Sequence, residues 1–171
     1  MKRIGVFLLS LVLVLSLTAC GGESDGETGE SKAEKEVVYK VGDTWAVDGQ
    51  WKFTITSVET TTERNEFEES NPEQIILIKY SYENLGYEDT TGLMDGLYMD
   101  IDSIGQLIDS DGNVCTSYPL GDEYAQETPV GAKCSAEGCF GLKAKGAPVK
   151  LNLSAYDGNL DEQKATFELK F

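Results

Sequence analysis

The segment Asp109-Ser110-Asp111-Gly112-Asn113 places side-chain oxygens at alternate positions beside a glycine, as calcium-binding loops do. An EF-hand loop continues to a bidentate glutamate at its twelfth position, and counting from Asp109 that position is Leu120. We therefore expect a hairpin turn, because Asp-Gly supplies the positive φ of a tight connection, and no resident metal or cofactor. The calcium alternative would use Asp109, Asp111 and Asn113, and a looser oxygen cage would add Asp95, Asp100 and Asp102.

Three cysteines follow this turn, Cys115, Cys134 and Cys139, and they allow one disulfide with one thiol left over. Cys134 has the strand parity of Phe140, which we expect to face the core, and Cys139 has the opposite parity. This pattern favours a Cys115–Cys134 disulfide with Cys139 unpaired. A Cys134–Cys139 disulfide is the close alternative, since the chain could fold back at Gly138. The absence of C-x-x-C spacing favours a structural role over a redox role.

The sequence contains few candidate residues for acid–base catalysis. Histidine is absent, which removes the commonest general base and every Ser-His or Cys-His pair. The acidic tract 63–73 offers carboxylates for a glycosidase, but that chemistry needs two acids at a set separation across a cleft. We expect a solvated loop there and predict no catalytic residues. Four aromatic residues could line a carbohydrate-binding face, but their strand periodicity favours core packing: Trp45, Trp51, Tyr80 and Tyr82.

The N-terminus has the pattern of an export signal. Lys2 and Arg3 precede the uncharged run 4–19, which is shorter than the roughly 20 apolar residues of a membrane-spanning helix. The run ends in Leu17-Thr18-Ala19-Cys20, which resembles the lipobox of bacterial lipoproteins. The resemblance implies that residues 1–19 are a cleaved signal peptide and that Cys20 is the lipid anchor. The protein would then lie on the extracytoplasmic face of the cell membrane.

Composition divides the rest of the chain into a linker and one domain. Residues 20–36 lack aromatic and branched aliphatic side chains, so we expect a disordered, lipid-anchored linker. The remaining residues, 37–171, suffice for a single domain. The 30 acidic residues outnumber the 14 basic ones and give a net charge of −16. This balance excludes nucleic acid as a partner, because nucleic-acid binding depends on basic side chains.

Alternating apolar and polar residues predict strands throughout the domain. Trp51, Phe53 and Ile55 alternate with polar neighbours, and the same period of two recurs in residues 76–83, 150–155 and 165–171. A further strand is expected over 132–144, and a helical turn is possible within 85–103. Short strands separated by Gly- and Asp-rich turns are typical of an all-β antiparallel sandwich.

The order of these segments carries a second resemblance. Tyr39–Thr44 leads into the strand 51–58, then Ile76–Asn84, the turn region 107–113 and a Pro129-Val130-Gly131 turn. This order resembles the immunoglobulin-like domains of uncharacterised Gram-positive lipoproteins, which are akin to a secreted mycobacterial immunoprotective antigen. The resemblance implies an immunoglobulin-like β-sandwich outside the cell, and it supplies no catalytic residues.

We therefore predict a non-enzymatic binding or accessory module, held at the membrane by its lipid anchor. Its partner would be an extracellular or envelope protein or a small solute. Binding on such folds is usually found on loops, here 60–73, 85–103 and 118–130. The alternatives are a cell-envelope hydrolase that uses loop carboxylates and a structural lipoprotein that links envelope proteins. A pocket holding two carboxyl groups with raised pKa would favour the hydrolase.

Overall fold

The computed structural model describes residues 37–171, and the predictions for the signal peptide, Cys20 and the linker lie outside this range. The described chain is almost entirely β, as predicted, and has one short helix. The strands are β1 Val38–Tyr39, β2 Thr44–Val47, β3 Trp51–Thr61, β4 Gln74–Asn84, β5 Gly105–Ile108, β6 Val114–Ser117, β7 Lys133–Leu142, β8 Val149–Tyr156 and β9 Glu162–Leu169, and the helix α1 is Ile101–Ile104. No helix within the described range has the length and apolar character needed to cross a membrane.

Two sheets form a sandwich, with β2, β3, β4 and β7 in one and β1, β9, β8 and β5 in the other. Strand β6 belongs to both sheets, because Cys115 pairs with Leu107 of β5 and Thr116 pairs with Gly141 of β7. On the opposite side, β1 pairs with β9 and the next strand along the chain, β2, pairs with β3. The sheets are therefore joined by hydrogen bonds through β6 on one side and by the chain segment between β1 and β2 on the other.

The core lies between the sheets and follows the predicted alternation. Trp51, Phe53 and Ile55 are fully buried. The Phe53 ring stacks on Tyr80 with centroids 5.3 Å apart, and it meets Phe167 of the opposite sheet edge-on at 6.0 Å. Aromatic pairs in these geometries add to the stabilisation from area burial alone. The four aromatic residues considered for a carbohydrate face are at most 3% exposed, so the core interpretation is confirmed.

Helix α1 lies beside β7 and overlaps the end of the segment 85–103, in which the sequence left a helical turn possible. Its Ile101 side chain is fully buried in the core cluster. A Cβ atom on Gly138 would lie 2.4 Å from Ile101 Cδ1, so only glycine lets the helix approach this closely. The Asp100 carboxylate caps the helix by accepting a hydrogen bond from the Asp102 amide. This packing fixes the position of Asp102 beside β7.

The expected Cys115–Cys134 disulfide is wrong, because the cysteines are too far apart and all three are free thiols. Cys134 packs against the main core and Cys139 against a separate cluster on the other face of β7, as their opposite strand parity predicts. The register places Cys115 beside Leu142, eight residues along β7 from Cys134, or about 26 Å at 3.3 Å per residue. The Cys134–Cys139 alternative fails too, since five residues of continuous strand span about 16 Å and a disulfide needs Cα atoms within about 7 Å.

Candidate functional site

The Asp109–Asn113 segment forms the turn between β5 and β6. The Asp109 amide donates to the Asn113 carbonyl at 2.9 Å, and Gly112 has a φ of +84°. The Asp109 carboxylate accepts hydrogen bonds from the amides of Asp111, Asn113 and Ala144 and from the Asn113 side chain. Although burial acts to raise the pKa of Asp109, the donors from Asn113 and Ala144 bring it below its usual range. This carboxylate therefore organises the turn, as the hairpin interpretation predicts.

The looser oxygen cage is not assembled. Within residues 37–171 no three Asp, Glu or Cys side chains are grouped as metal ligands. Asp100 instead caps α1, and the Asp95 amide donates to the Glu127 carboxylate at 3.1 Å. The Asp109 carboxylate is committed to its turn and the Asp100 carboxylate to a helix cap, an arrangement that a spacing pattern does not reveal.

A buried asparagine ties two of the predicted binding loops together. Asn84, at the end of β4, is fully buried and donates to the carbonyls of Tyr87 and Thr128 at 3.0 and 2.9 Å. Its side-chain oxygen accepts from the amides of Gly86 and Tyr87 at 3.0 and 2.7 Å. All four hydrogen-bonding positions of the amide group are used. In the sequence, Asn84 was considered only as the end of the segment Ile76–Asn84, although an Asn-x-Gly at a strand end is the signal that could have marked it.

The loop 62–73 is tied to the third predicted loop. The Asn65 amide donates to the Tyr118 hydroxyl at 3.0 Å, and its side chain donates to the Pro119 carbonyl at 2.9 Å. Tyr118 also packs with Ile75 and Cys139 in the small apolar cluster on the outer face of β7. Most of the acidic tract 63–73 is exposed, as predicted for a solvated loop. The part near Asn65 is nevertheless held against the sandwich.

All three predicted loops meet at one cleft with a volume of about 580 Å³. Loop 62–73 supplies Asn65 and Glu68, and helix α1, at the end of the predicted segment 85–103, supplies Asp102. The end of β6 and the third loop supply the rest of the wall, including Tyr118 and Tyr124. Tyr124 lies at the edge of the cleft, and 72% of its surface is exposed. None of the residues lining this cleft is Lys or Arg, so its polar surface is acidic and aromatic. We call it the three-loop cleft.

Asp102 is the unusual acid of the three-loop cleft. Its partial burial beside β7, reinforced by the neighbouring Asp100 carboxylate, raises the pKa of Asp102 to about 6. Burial raises the pKa of the Cys139 thiol to about 12, and the nearby Asp102 carboxylate contributes to this rise. Glu68 on the opposite wall differs, because hydrogen bonds from Ser70 lower its pKa. The cleft therefore holds one carboxyl group that titrates close to neutrality.

The Asp102→Asn variant is expected to be more stable than the wild type at pH 7, by about 1 kcal/mol. The folded-state pKa lies above the unfolded value, so the stabilisation from protonated Asp102 is complete below about pH 4 and is lost as pH rises through 6. The rise in the pKa of Asp102 to about 6 corresponds to about 3 kcal/mol of stability at most. Solvent exposure of the side chain reduces this contribution. Urea unfolding between pH 4 and pH 7 measures the difference.

The control for this prediction is Asp122→Asn, which removes one negative charge from a neighbouring exposed position. We expect its stability to follow the wild-type pH dependence. Equal stability of Asp102→Asn and the wild type at every pH would mean that Asp102 titrates as an ordinary exposed acid.

Comparison with known proteins supports the fold. No protein-family model and no curated protein sequence matches the chain. The crystal structure of the yjhA protein from Bacillus subtilis is similar, with 13% identity, a TM-score of 0.55 and coverage of 78% of this chain and 100% of that one. MPT63, a secreted protein from Mycobacterium tuberculosis, is also similar, with 10% identity, a TM-score of 0.52 and coverage of 78% and 97%. At these identities the similarity shows the fold alone, and the expected immunoglobulin-like β-sandwich is confirmed.

Proposed function

We propose that this protein is a lipid-anchored, extracytoplasmic binding module whose recognition surface is the three-loop cleft. The observation that carries the proposal is the convergence of all three predicted binding loops on one concave site of about 580 Å³. Binding on sandwich folds depends on loops that a rigid frame holds in place. Hydrogen bonds of Asn65 and Asn84 supply that restraint here.

The anchor remains a proposal that rests on the lipobox-like Leu17-Thr18-Ala19-Cys20. The similar fold of MPT63, itself a secreted protein, supports an extracytoplasmic location. The fixed polarity of the strands adds a geometric argument. Strand β1 runs parallel to β9, so the chain enters the domain from the end of the sandwich that holds the β8–β9 turn. The loop 62–73 follows the last residue of β3 and lies at the other end of the sandwich. A tether at Val37 would therefore attach at the end of the sandwich opposite this loop.

The charge of the cleft narrows the class of ligand. Residues 37–171 contain 24 acidic and 10 basic residues, a net charge of −14. Such a field concentrates cations and basic partners and repels anions. Tyr118 and Tyr124 add aromatic surface at the cleft. We infer a neutral or cationic ligand, such as an amine, a polyol or a basic peptide, rather than a phosphate or a carboxylate.

The hydrolase considered from the sequence would need two carboxyl groups with raised pKa in one pocket. The cleft holds one, Asp102, and a second acid, Glu68, whose pKa is lowered. The arrangement therefore favours binding over hydrolysis as the proposed activity.

Photo-crosslinking in cells tests the proposed site. A photoreactive amino acid in place of Tyr124 should capture a specific product, because this side chain is exposed at the cleft. The matched control position is Lys170, whose side chain is also 72% exposed but lies at the end of β9, outside the cleft. We expect the product at position 124 and none at position 170, with at least a fivefold loss when Asp102→Lys is added. The same products at both positions would contradict the proposal.

A further inference from the structure

A second concave surface lies between the segment 87–99 and the end of β8, and its wall is mainly apolar. Its volume is about 320 Å³. Leu97 and Met99 form a buried floor, while Leu93 and Tyr156 stand at the rim with 84% and 60% of their surfaces exposed. Large exposed apolar side chains that share a groove are typical of interaction sites. We call this surface the apolar groove, and it is separate from the three-loop cleft.

The exposed side chains of the groove belong to an ordered loop. The Asp89 carboxylate accepts hydrogen bonds from the amides of Thr91, Leu93 and Met94, at 2.8 to 3.0 Å. Leu97 and Thr128 exchange a pair of backbone hydrogen bonds, each of 2.9 Å. These hydrogen bonds hold Leu93 and Met94 at the surface although burial would favour both side chains. A partner that covers them would therefore meet a surface that is already arranged for contact.

The rim of the groove is acidic and its charges are not neutralised by the protein. Asp89 lies in the wall, and the Asp95 amide binds the Glu127 carboxylate beside it. Burial and the nearby acids Asp100, Asp102 and Glu127 raise the pKa of Tyr98, which also lines the groove. None of these acids forms a salt bridge within residues 37–171, and no Lys or Arg lines the groove.

We propose that the apolar groove binds a basic amphipathic segment of a partner protein, in which apolar side chains are flanked by Lys or Arg. The volume accommodates one or two apolar side chains, and the acids at the rim, which form no salt bridge within residues 37–171, match flanking cations. Complementary charge selects the partner and speeds its association, while apolar burial supplies most of the affinity. This surface shares no lining residue with the three-loop cleft, and the two sites are tested at different residues, so either proposal can fail while the other holds.

A peptide bearing a photoreactive leucine tests this proposal on the full-length protein in phosphatidylcholine nanodiscs. The probe has two lysines on each side of a Leu-photoleucine-Leu centre, and its counterpart has glutamates in place of the lysines. We expect the lysine peptide to crosslink to residues 87–99 or 154–156, at least ten times more than the glutamate peptide. Raising the salt from 50 to 300 mM should weaken crosslinking severalfold.

Two variants complete the experiment. The double variant Leu93→Ser/Met94→Ser alters exposed positions, so it should fold, and it should reduce crosslinking at least tenfold. The control Leu160→Ser removes a leucine with 64% exposure outside the groove and should leave crosslinking unchanged. Equal labelling by both peptides, or unchanged labelling of the double variant, would overturn the proposal. Concentration-dependent dimers that the double variant abolishes would overturn it too, because the groove would then bind a second copy.

Discussion

Replacing Cys20 by serine is expected to remove the mature, cleaved protein from the membrane fraction, by at least tenfold relative to the wild type. The proposed anchor is a diacylglyceryl group on the Cys20 sulfur, and a serine hydroxyl does not form this thioether. Each buried CH₂ of an acyl chain contributes about 0.8 kcal/mol, and two chains are needed for stable anchoring. The Cys20→Ser protein should therefore appear in the medium, or accumulate as a precursor that retains residues 1–19.

Cell fractionation combined with mass spectrometry of the N-terminus measures this effect, since the mass distinguishes released protein from uncleaved precursor. Cys139→Ser is the matched control, because it removes a thiol that lies buried within the domain. We expect the control to remain in the membrane fraction and to carry the lipid. Retention of a normally cleaved Cys20→Ser protein in the membrane would contradict the anchor.

Much of the sandwich could be predicted because its strands are amphipathic. The alternation of Trp51, Phe53 and Ile55 with polar residues leaves one face of β3 that must be buried, and the structure buries these three completely. The segment 132–144 was less regular, yet β7 occupies Lys133–Leu142. The sequence also indicated which loops would be long, because acidic and Gly-rich tracts separate the apolar runs.

The disulfide could not be predicted because strand parity gives the face of a residue and not its distance from a partner. Cys134 was assigned to the core face, where Cys115 also lies, but the pairing register of β6 with β7 separates them along the strand. Register depends on contacts with other strands and on loop lengths, which a local pattern does not contain. The same limit applies to the three-loop cleft, where Asn65 and Tyr118 are 53 residues apart in sequence and meet through a hydrogen bond.

Asn84→Leu is expected to lower the free energy of unfolding by about 4 kcal/mol, the largest effect of any single side chain considered on stability. Leucine has a similar size but no hydrogen-bonding group, so the amide and the carbonyl of Tyr87 lose the Asn84 side chain as their partner. The Gly86 amide and the Thr128 carbonyl lose it too, but they keep backbone hydrogen bonds to Gln50 and Leu97. Each buried group left without a partner costs about 1–3 kcal/mol. We expect a fall in Tm of roughly 15 °C.

Thermal unfolding measures the loss of stability, and amide hydrogen exchange locates it. Exchange should accelerate first in residues 85–99 and 126–130, because Asn84 joins these two segments at the base of the apolar groove. Asn71→Leu is the matched control, since Asn71 is exposed in the loop 62–73, and its stability should change by less than about 0.5 kcal/mol. If Asn84→Leu were also within 1 kcal/mol of the wild type, the two loops would not be held by this side chain. The ordered presentation of Leu93 and Met94 would then depend on the hydrogen bonds of Asp89 and on the backbone pair of Leu97 with Thr128.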